Sequence, residues 1–266
     1  MKFLSIASGS SGNCSYVSSD KASVLVDVGI SKKKIQEGLK SIDRDFKDIN
    51  GILITHEHID HIRGLGVISR SCNIPIYATA DTCDEIANTS SLGEFDKSLL
   101  IPIEPDKAFD IEDIHIEAHS IWHDAADPVC YSLECDNQKI SIATDMGDYD
   151  DYIVNALKDS DVLLVEANHD IRMLQVGPYP YHLKQRILGK RGHLSNDKGG
   201  QLIKDLLNDH IKAIFLGHLS KENNYPELAY ETVKLMLMDN PYTNDIRDFN
   251  LQVADRNSCS LLINLI

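Results

Sequence analysis

The sequence has no long apolar run and no recognisable export segment. No stretch approaches the ~18 consecutive apolar residues that suggest a membrane-spanning helix. The N-terminus, Met1–Ser8, carries one lysine, but its apolar run is far too short for a signal peptide. We therefore expect a protein that does not enter a membrane and that works in the cytoplasm.

Cysteine is present, but not in the close pairs that hold metals or form redox centres. The six cysteines are scattered along the chain without a Cys-x-x-Cys pair. In a chain without an export signal, reduced thiols are the ordinary state. The sequence therefore predicts free thiols and offers no persuasive cysteine ligand for zinc and no persuasive cysteine nucleophile.

Positive charge is scarce. The 26 Lys and Arg residues are outnumbered by 41 Asp and Glu, and the net charge is −15. Taken alone, this argues against a nucleic-acid partner, because phosphate binding needs local positive charge. Residues 171–193 depart from the average, because they contain no acid. The basic residues of this segment are Arg172, Lys184, Arg186, Lys190 and Arg191.

The acid-free segment has two interpretations. It is either a solvated helix face or a surface that follows a nucleic-acid backbone, since local charge can override net charge near a site. Tyr179 and Tyr181 lie within it and are available to stack on a base. The segment leads directly to His193.

Histidine, by contrast, is concentrated in one place. Residues 55–61 are Thr-His-Glu-His-Ile-Asp-His and follow a short apolar run. Histidine is the commonest metal ligand near neutral pH, and a neighbouring carboxylate suits a divalent cation. His56 and His58 are two apart and would point the same way from an extended backbone, whereas Asp60 and His61 follow a turn. One loop can therefore supply two ligand pairs to two neighbouring metal positions.

The motif differs from that of the one-metal helical proteases. Their His-Glu-x-x-His pattern, begun at His56, needs a histidine at position 60, where this chain has Asp60. A merely polar loop after a strand is the other alternative. It does not account for three histidines and an aspartate within the six positions from His56 to His61.

Four further acidic or histidine residues each follow directly on a short apolar strand. Strand ends are where sites gather in layered α/β folds. Each residue alone is weak evidence, because an aspartate after a strand usually forms a turn or caps a helix. Together with the histidine loop they make a stronger case. They are Asp27, Asp145, Glu166 and His218.

The pattern of elements favours an α/β layered sandwich. Strand patterns open the chain at Lys2–Ala7 and close it at Ser260–Leu265, and helical patterns such as Tyr181–Leu188 lie between strands. A mixture of hairpins and helical crossovers is typical of this class. No repeat, linker or low-complexity segment is present, so we expect one domain over residues 1–266.

The ordered motifs resemble those of metallo-β-lactamase-fold hydrolases, with Asp27, the His56–His61 cluster, a mid-chain histidine, Asp145 and His218 in the family's order. Five segments more narrowly resemble the YycJ (WalJ/VicX) branch: Ser8–Asn13, His123–Pro128, Glu166–Asp170, Gly192–Ser195 and Gly217–Ser220. The resemblance implies a four-layer αβ/βα sandwich with two metals at one edge of the packed sheets. It also implies a metal-dependent exonuclease directed at DNA.

The resemblance further implies a ligand set for two divalent metals, which would be zinc, manganese or iron. The first metal would be held by His56, His58 and His123. The second would be held by Asp60, His61 and His218, with Asp145 bridging both metals. His119 is the rival of His123, which we prefer because the sequence His-Asp-Ala-Ala-Asp-Pro matches the branch and because a loop should follow it.

Other residues are expected to support this centre. Asp27 would orient a ligand histidine from behind. Glu166 and Asn168 would line the site, with Glu166 orienting His193. We expect a solvent-facing role for His115 and surface or local hydrogen-bonding roles for His169, His182 and His210.

Two cations roughly 3.5–4 Å apart suit phosphoester hydrolysis, because they give a bridging hydroxide at neutral pH and clamp the phosphate. Asp60 or Asp145 would orient that hydroxide. His193 is the candidate general acid, unless it only binds phosphate or merely starts the Ser195 helix. The Gly/Ser loop, through Ser10, Ser11 and Asn13, would offer N–H groups and hydroxyls to a phosphate, unless it is a plain tight turn.

Three functions follow from these features. The first is a DNA phosphodiesterase, an exonuclease whose basic residues Lys184, Arg186, Lys190 and Arg191 contact the substrate. The second is an RNA-processing or other ester or thioester hydrolase of the same fold. The third is a non-catalytic adaptor that binds a signalling partner, and the intact ligand set weighs against it. The sequence leaves the native metals and the oligomeric state open.

Overall fold

The computed structural model describes residues 1–243 and 245–265, and within these ranges the chain forms two seven-stranded mixed sheets. The strands are β1 (Lys2–Ala7), β2 (Cys14–Ser18), β3 (Ser23–Val26), β4 (Gly51–Leu53), β5 (Ile76–Thr79), β6 (Leu100–Ile103), β7 (Phe109–Ile111), β8 (Ile114–Ser120), β9 (Val129–Cys135), β10 (Gln138–Ala143), β11 (Val162–Glu166), β12 (Ala213–Gly217), β13 (Leu251–Val253) and β14 (Ile263–Asn264). The α-helices are α1 (Lys32–Lys40), α2 (Ile59–Ile62), α3 (Leu65–Cys72), α4 (Ala80–Asn88), α5 (Asp151–Leu157), α6 (Ile171–Val176), α7 (Tyr181–Leu188), α8 (Asn196–Leu206) and α9 (Pro226–Leu237).

The two sheets share one pairing pattern. The first has the order β14-β1-β2-β3-β4-β5-β6 and the second the order β13-β12-β11-β10-β9-β8-β7. In each sheet, three antiparallel pairings lie beside three parallel ones. Because parallel strands need crossover connections, helices lie between β3 and β5 and again between β10 and β12.

The sheets pack face to face, and helices cover their outer faces. Phe3 and Phe215 meet between the sheets with ring centroids 5.0 Å apart. Separate buried clusters join each sheet to its helices, for example through Ile35 of α1 on the first sheet and Leu202 of α8 on the second. This gives four layers, helix–sheet–sheet–helix, and confirms the predicted fold class.

Some predicted elements have different bounds in the structure. The sequence pattern favours one helix over His61–Ser71, whereas the structure has α2 and α3 with a break at Gly64, whose backbone N–H donates to Val28 O at 2.8 Å. A Cβ at Gly64 would lie 2.4 Å from Ile30 O, so the close approach requires glycine. Helix α6 was not predicted; Asp170 caps it by accepting from Met173 N at 2.7 Å. The predicted last strand is limited to β14.

The ends of several strands form the edge at which the predicted ligands gather. Three residues that follow strands adopt left-handed backbone conformations: Asp27 (φ 60°), Asp145 (φ 60°) and His218 (φ 52°). Such conformations are uncommon for non-glycine residues, although aspartate and histidine adopt them more readily than most, and they concentrate at functional sites. In the part of the chain that the structure describes, no helix combines the length and apolarity needed to cross a bilayer.

Candidate metal centre

The histidine-rich loop is held in place from behind by Asp27. The Asp27 carboxylate accepts hydrogen bonds from the backbone N–H of Thr55 at 2.9 Å and from its hydroxyl at 3.0 Å. His58, with extended backbone angles, is the N-cap of α2, and the chain turns there into the helix that carries Asp60 and His61. The expected change from extended chain to turn is therefore present.

One group of ring nitrogens converges beside this loop. His56 Nε2 lies 3.0 Å from His58 Nδ1, and His123 Nε2 lies 3.3 Å from the same His58 atom. Ligands bound to one tetrahedral zinc at about 2.0–2.1 Å would lie roughly 3.4 Å apart. The spacing of these nitrogens therefore fits three ligands of a shared cation.

A second group lies on the other side of Asp145. His218 Nε2 is 3.3 Å from Asp60 Oδ2, and His61 Nε2 is 3.7 Å from the same oxygen. Nitrogen and carboxylate donors of this kind suit zinc, manganese or iron.

Asp145 lies between the two groups. Its Oδ2 is 3.1 Å from His61 Nε2, and its Oδ1 is 3.9 Å from His123 Nε2. Oδ2 is buried yet makes no hydrogen bond of acceptable geometry to the described residues. A buried carboxylate oxygen is normally satisfied, so a cation is a fitting partner for it.

Three of the ligand-group histidines are oriented through their Nδ1 atoms. His61 Nδ1 lies 2.7 Å from Asp27 Oδ2, and His123 Nδ1 lies 3.0 Å from the carbonyl oxygen of Gly192. His218 Nδ1 lies 3.1 Å from Glu166 Oε1. An acceptor at Nδ1 favours the tautomer whose Nε2 lone pair faces the centre, as in metal sites generally.

His193 lies at the same edge and is held by Glu166. His193 Nδ1 is 2.7 Å from Glu166 Oε1, while Glu166 Oε2 accepts from the backbone N–H groups of Met146 (2.9 Å) and Leu194 (3.1 Å). The His193 ring stacks on that of His218, with centroids 5.3 Å apart. The expected Glu166–His193 contact is therefore present. Asn168 also lies here, with its Nδ2 donating to His218 O at 2.9 Å.

Charge is concentrated at this centre. Burial alone would raise the pKa of the Asp60 carboxyl, but His61 and His218 lower it to about 2. Burial likewise opposes ionisation of Asp145, and His218 and His61 hold its pKa well below the ordinary value. Burial lowers the pKa of His218 but Asp145 raises it to about 10. Two ionised carboxylates among histidines, the buried Asp145 and the partly buried Asp60, form an environment that attracts divalent cations.

The structure places the two rival histidines differently. His123 is buried and belongs to the first ligand group. His119 lies within β8, where its Nε2 bonds to Ser132 Oγ at 2.8 Å, outside every ligand group of the described residues. His115 is half exposed and pairs with Asp110, as expected. The expectation for His169 was wrong, because its side chain is buried and neither ring nitrogen has a hydrogen-bond partner among the described residues.

Some of the basic side chains proposed to contact the substrate already make contacts within the protein. Lys184 Nζ donates to Gln175 O at 2.7 Å, and the guanidinium of Arg186 pairs with Asp124. Lys190 Nζ lies 5.6 Å from the ring centroid of Trp122. Arg191 is exposed.

In the Gly/Ser loop, Ser10 and Ser11 are exposed, whereas Asn13 is buried with its Nδ2 3.1 Å from His61 Nε2. Two residues beside the centre, Ser8 and Arg256, escaped sequence reasoning. Ser8 Oγ accepts from His218 N at 2.8 Å, and Arg256 bonds both Ser10 Oγ (3.2 Å) and Leu219 O (2.6 Å). Ser8 begins a loop already singled out, but no local signal marks Arg256.

Comparison with known proteins agrees with this geometry. Residues 23–218 match the beta-lactamase superfamily domain, a range that contains every predicted ligand. The chain is 42% identical to exodeoxyribonuclease WalJ of Streptococcus pneumoniae serotype 2 over 232 residues, which is 87% of this chain and 86% of the relative. It is 37% identical to exodeoxyribonuclease YycJ of Bacillus anthracis over 237 residues, 89% of each chain. The chain therefore belongs to the beta-lactamase superfamily, as the motifs predicted.

Solved structures confirm the fold. The metallo-beta-lactamase fold protein YhfI from Bacillus subtilis superimposes with a TM-score of 0.69, at 14% identity, over 97% of this chain and 98% of that one. The short form of human tRNase Z superimposes with a TM-score of 0.67, at 17% identity, over 100% of both chains. At these identities the likeness is one of fold alone.

Proposed function

We propose that this protein is a divalent-metal-dependent exodeoxyribonuclease, which removes nucleotides from an end of DNA. The observation that carries the proposal is the pair of ligand groups joined by Asp145. The names of the relatives, exodeoxyribonuclease WalJ and YycJ, supply the substrate class. We also propose that the whole chain is one domain and that it works in the cytoplasm, in keeping with its six free cysteines.

We assign two cations to the centre. His56, His58 and His123 would hold the first, and Asp60, His61 and His218 would hold the second, with Asp145 available beside both groups. When bound, two such cations supply a water of lowered pKa and neutralise charge on the phosphate. Manganese, zinc and iron all suit this donor set.

The chain's own residues would supply orientation and a proton. The Asp60 carboxylate, and that of Asp145, would accept a hydrogen bond from the attacking water and align it with phosphorus. Glu166 accepts from His193 Nδ1, which leaves Nε2 free to donate a proton to the leaving oxygen of the cleaved phosphodiester. Asp27 would hold His61 in its ligating tautomer.

Substrate contacts are assigned to surfaces around the centre. Ser10 and Ser11 are exposed on the Gly/Ser loop and can donate to a phosphate. On the other side, Lys184, Arg186, Lys190 and Arg191 add positive charge to a chain of net charge −15. Asn13 is better assigned to the support of His61, because it is buried against that ring.

The test is digestion of end-labelled substrates. Duplex DNA, single-stranded DNA and RNA of one sequence are incubated with purified protein and added manganese, zinc or iron. We expect release of mononucleotides from DNA in at least one metal. His58→Ala should reduce this more than about 100-fold, since even residues that only orient ligands contribute 10–100-fold.

The matched control is His115→Ala, because the side chain of His115 is half exposed and pairs only with surface acids. It should leave digestion unchanged. Absence of DNA hydrolysis with every metal, or equal activity of His58→Ala and wild type, contradicts the proposal. Faster hydrolysis of RNA than of DNA would indicate an RNA-processing hydrolase instead.

A further inference from the structure

A pocket of about 320 Å³ lies beside the second ligand group, and no step of the proposed chemistry uses it. Its walls come from three segments that are far apart in sequence. The first segment is the Gly/Ser loop, which contributes Ser8. The second lies within Leu219–Pro226, directly after the ligand-group residue His218, and the third is residues 253–257. The pocket therefore forms only in the folded protein.

The pocket adjoins the candidate metal centre. Ser8 lines it and accepts a hydrogen bond from the backbone N–H of His218 at 2.8 Å. Leu219 and Ser220, the next two residues, also line it. One wall of the pocket is therefore formed by residues that bond to or directly follow His218 of the second ligand group.

One side of the pocket offers an aromatic ring. Tyr225 lines the pocket, and its side chain is 60% exposed. Pro226 and Leu219 add apolar surface beside it. An exposed ring with apolar neighbours suits the face of a nucleobase, because every base stacks on aromatic side chains.

The other side offers fixed positive charge. The guanidinium of Arg256 is anchored by Ser10 Oγ (3.2 Å) and Leu219 O (2.6 Å), and these bonds leave further N–H donors available. Lys221 is exposed on the same rim. The one lining carboxylate, Asp255, is engaged through Oδ1 by the backbone N–H groups of Asn257 (2.6 Å) and Ser258 (2.8 Å). Arginine in a fixed position is well suited to a phosphate.

The volume of the pocket limits the size of the ligand that it can bind. Small-molecule pockets commonly measure about 300–1,000 Å³, so this one is at the lower end and has room for about one nucleotide. The pocket offers an aromatic ring for a base, a guanidinium for a phosphate, and the volume of one nucleotide. These features fit the terminal nucleotide of a strand better than an extended oligonucleotide.

We propose that this pocket binds the terminal nucleotide of the DNA strand and, after cleavage, the deoxynucleoside monophosphate. This rests on the proposed exonuclease function and names its product site. Tyr225 stacks on the base and Arg256 pairs with the phosphate. The neighbouring phosphodiester then lies toward His218 and the proposed metals.

The test is inhibition of DNA hydrolysis by two probes that share a phosphate but differ in the base. These are 2′-deoxyadenosine 5′-monophosphate and 2-deoxyribose 5-phosphate, each titrated at fixed manganese. For the wild type, the nucleotide should inhibit about tenfold more strongly than the sugar phosphate, since stacking of one base contributes on this scale. Tyr225→Ala should remove that advantage, and Tyr225→Phe should retain it.

The matched control is Tyr242→Ala. Tyr242 is 47% exposed and lies beyond the C-terminal end of α9, whereas Tyr225 is the N-cap of the same 12-residue helix. It should leave both inhibition constants unchanged. Equal inhibition of the wild type by the two probes, or a nucleotide advantage that survives Tyr225→Ala, overturns the inference.

Equilibrium dialysis with labelled deoxyadenosine monophosphate separates this inference from the proposed function. Tyr225-dependent binding by a protein that does not digest DNA would support the pocket and contradict the exonuclease. Digestion of DNA without a Tyr225-dependent preference for the nucleotide would support the exonuclease and overturn the pocket.

Discussion

Asp27 and His61 form a buried pair, with Asp27 Oδ2 2.7 Å from His61 Nδ1, at the base of the candidate metal centre. They are 34 residues apart in sequence, and both side chains are almost inaccessible to solvent. The same carboxylate also receives the backbone N–H of Thr55. One side chain therefore fixes both the loop and the orientation of a proposed ligand.

This pair predicts the effect of Asp27→Asn. The substitution keeps the shape of the side chain, and asparagine tolerates the left-handed backbone (φ 60°) at this position. The amide no longer supplies a charged acceptor to His61, so manganese affinity should fall about 10–100-fold. Chelator competition measures it. Asp43→Asn is the matched control, because Asp43 is exposed with a φ of 57°; equal affinities in the two variants would contradict the role of Asp27.

The contrast between His119 and His123 predicts different metal contents. His123→Asn should lose metal, because His123 Nε2 lies 3.3 Å from His58 Nδ1 in the first ligand group. His119→Asn should retain metal, because His119 Nε2 is already bonded to Ser132 Oγ at 2.8 Å. Elemental analysis after dialysis against a fixed free-metal buffer measures both. Metal loss in the His119 variant alone would reverse the assignment.

His193→Gln separates proton donation from phosphate binding. A general acid contributes roughly 10²–10⁴-fold when the leaving group is a poor one such as a DNA alkoxide. The variant should therefore lose at least about 100-fold in kcat on DNA, but much less on bis(p-nitrophenyl) phosphate, whose leaving group needs no proton. Comparable losses on both substrates would show that His193 binds phosphate instead.

His169 predicts a dependence of stability on pH. Burial lowers its pKa to about 4, although Glu166 and Asp170 oppose the shift and His193 adds to it. The unfolded chain, with a histidine pKa near 6.5, then binds more protons than the folded chain as pH falls from about 6.5 to about 4, so stability falls over that window. Between pH 7 and pH 5 the loss from this group should be about 2 kcal/mol.

The measurement is urea unfolding of the wild type and His169→Leu at both pH values. Leucine cannot titrate, and the buried imidazole it replaces makes no hydrogen bonds to the described residues. The difference in unfolding free energy between the two proteins should therefore shift by about 2 kcal/mol in favour of the variant at pH 5. A difference that stays constant with pH would exclude a neutral, buried His169.

The sequence predicted the parts of this site that depend on local geometry. His56 and His58 converge because residues two apart on an extended chain point the same way, and Asp60 and His61 follow because the chain turns into α2. Likewise, Asp27, Asp145 and His218 each end a run of apolar strand residues. These relations involve only a few consecutive residues, so periodicity and spacing are sufficient to find them.

Other features depend on contacts that no local pattern records. His119 is held within β8 by its pairing with Cys130, while His123 lies beyond the strand end. The guanidinium of Arg186 forms an ion pair with Asp124, 62 residues away. His169 carries no hydrophobic signal and yet is buried, and its backbone pairs with Ser195, 26 positions away.

The sequence by itself therefore predicted the histidine loop from residue type and short spacing, and its resemblance to metallo-β-lactamase-fold hydrolases implied the class of fold and the candidate ligands. Tertiary structure alone decided which distant residues support the surroundings of the centre. Arg256 reaches Ser10 across 246 positions, and Ser8 reaches His218 across 210. The physical reason is that such contacts are set by the packing of two whole sheets.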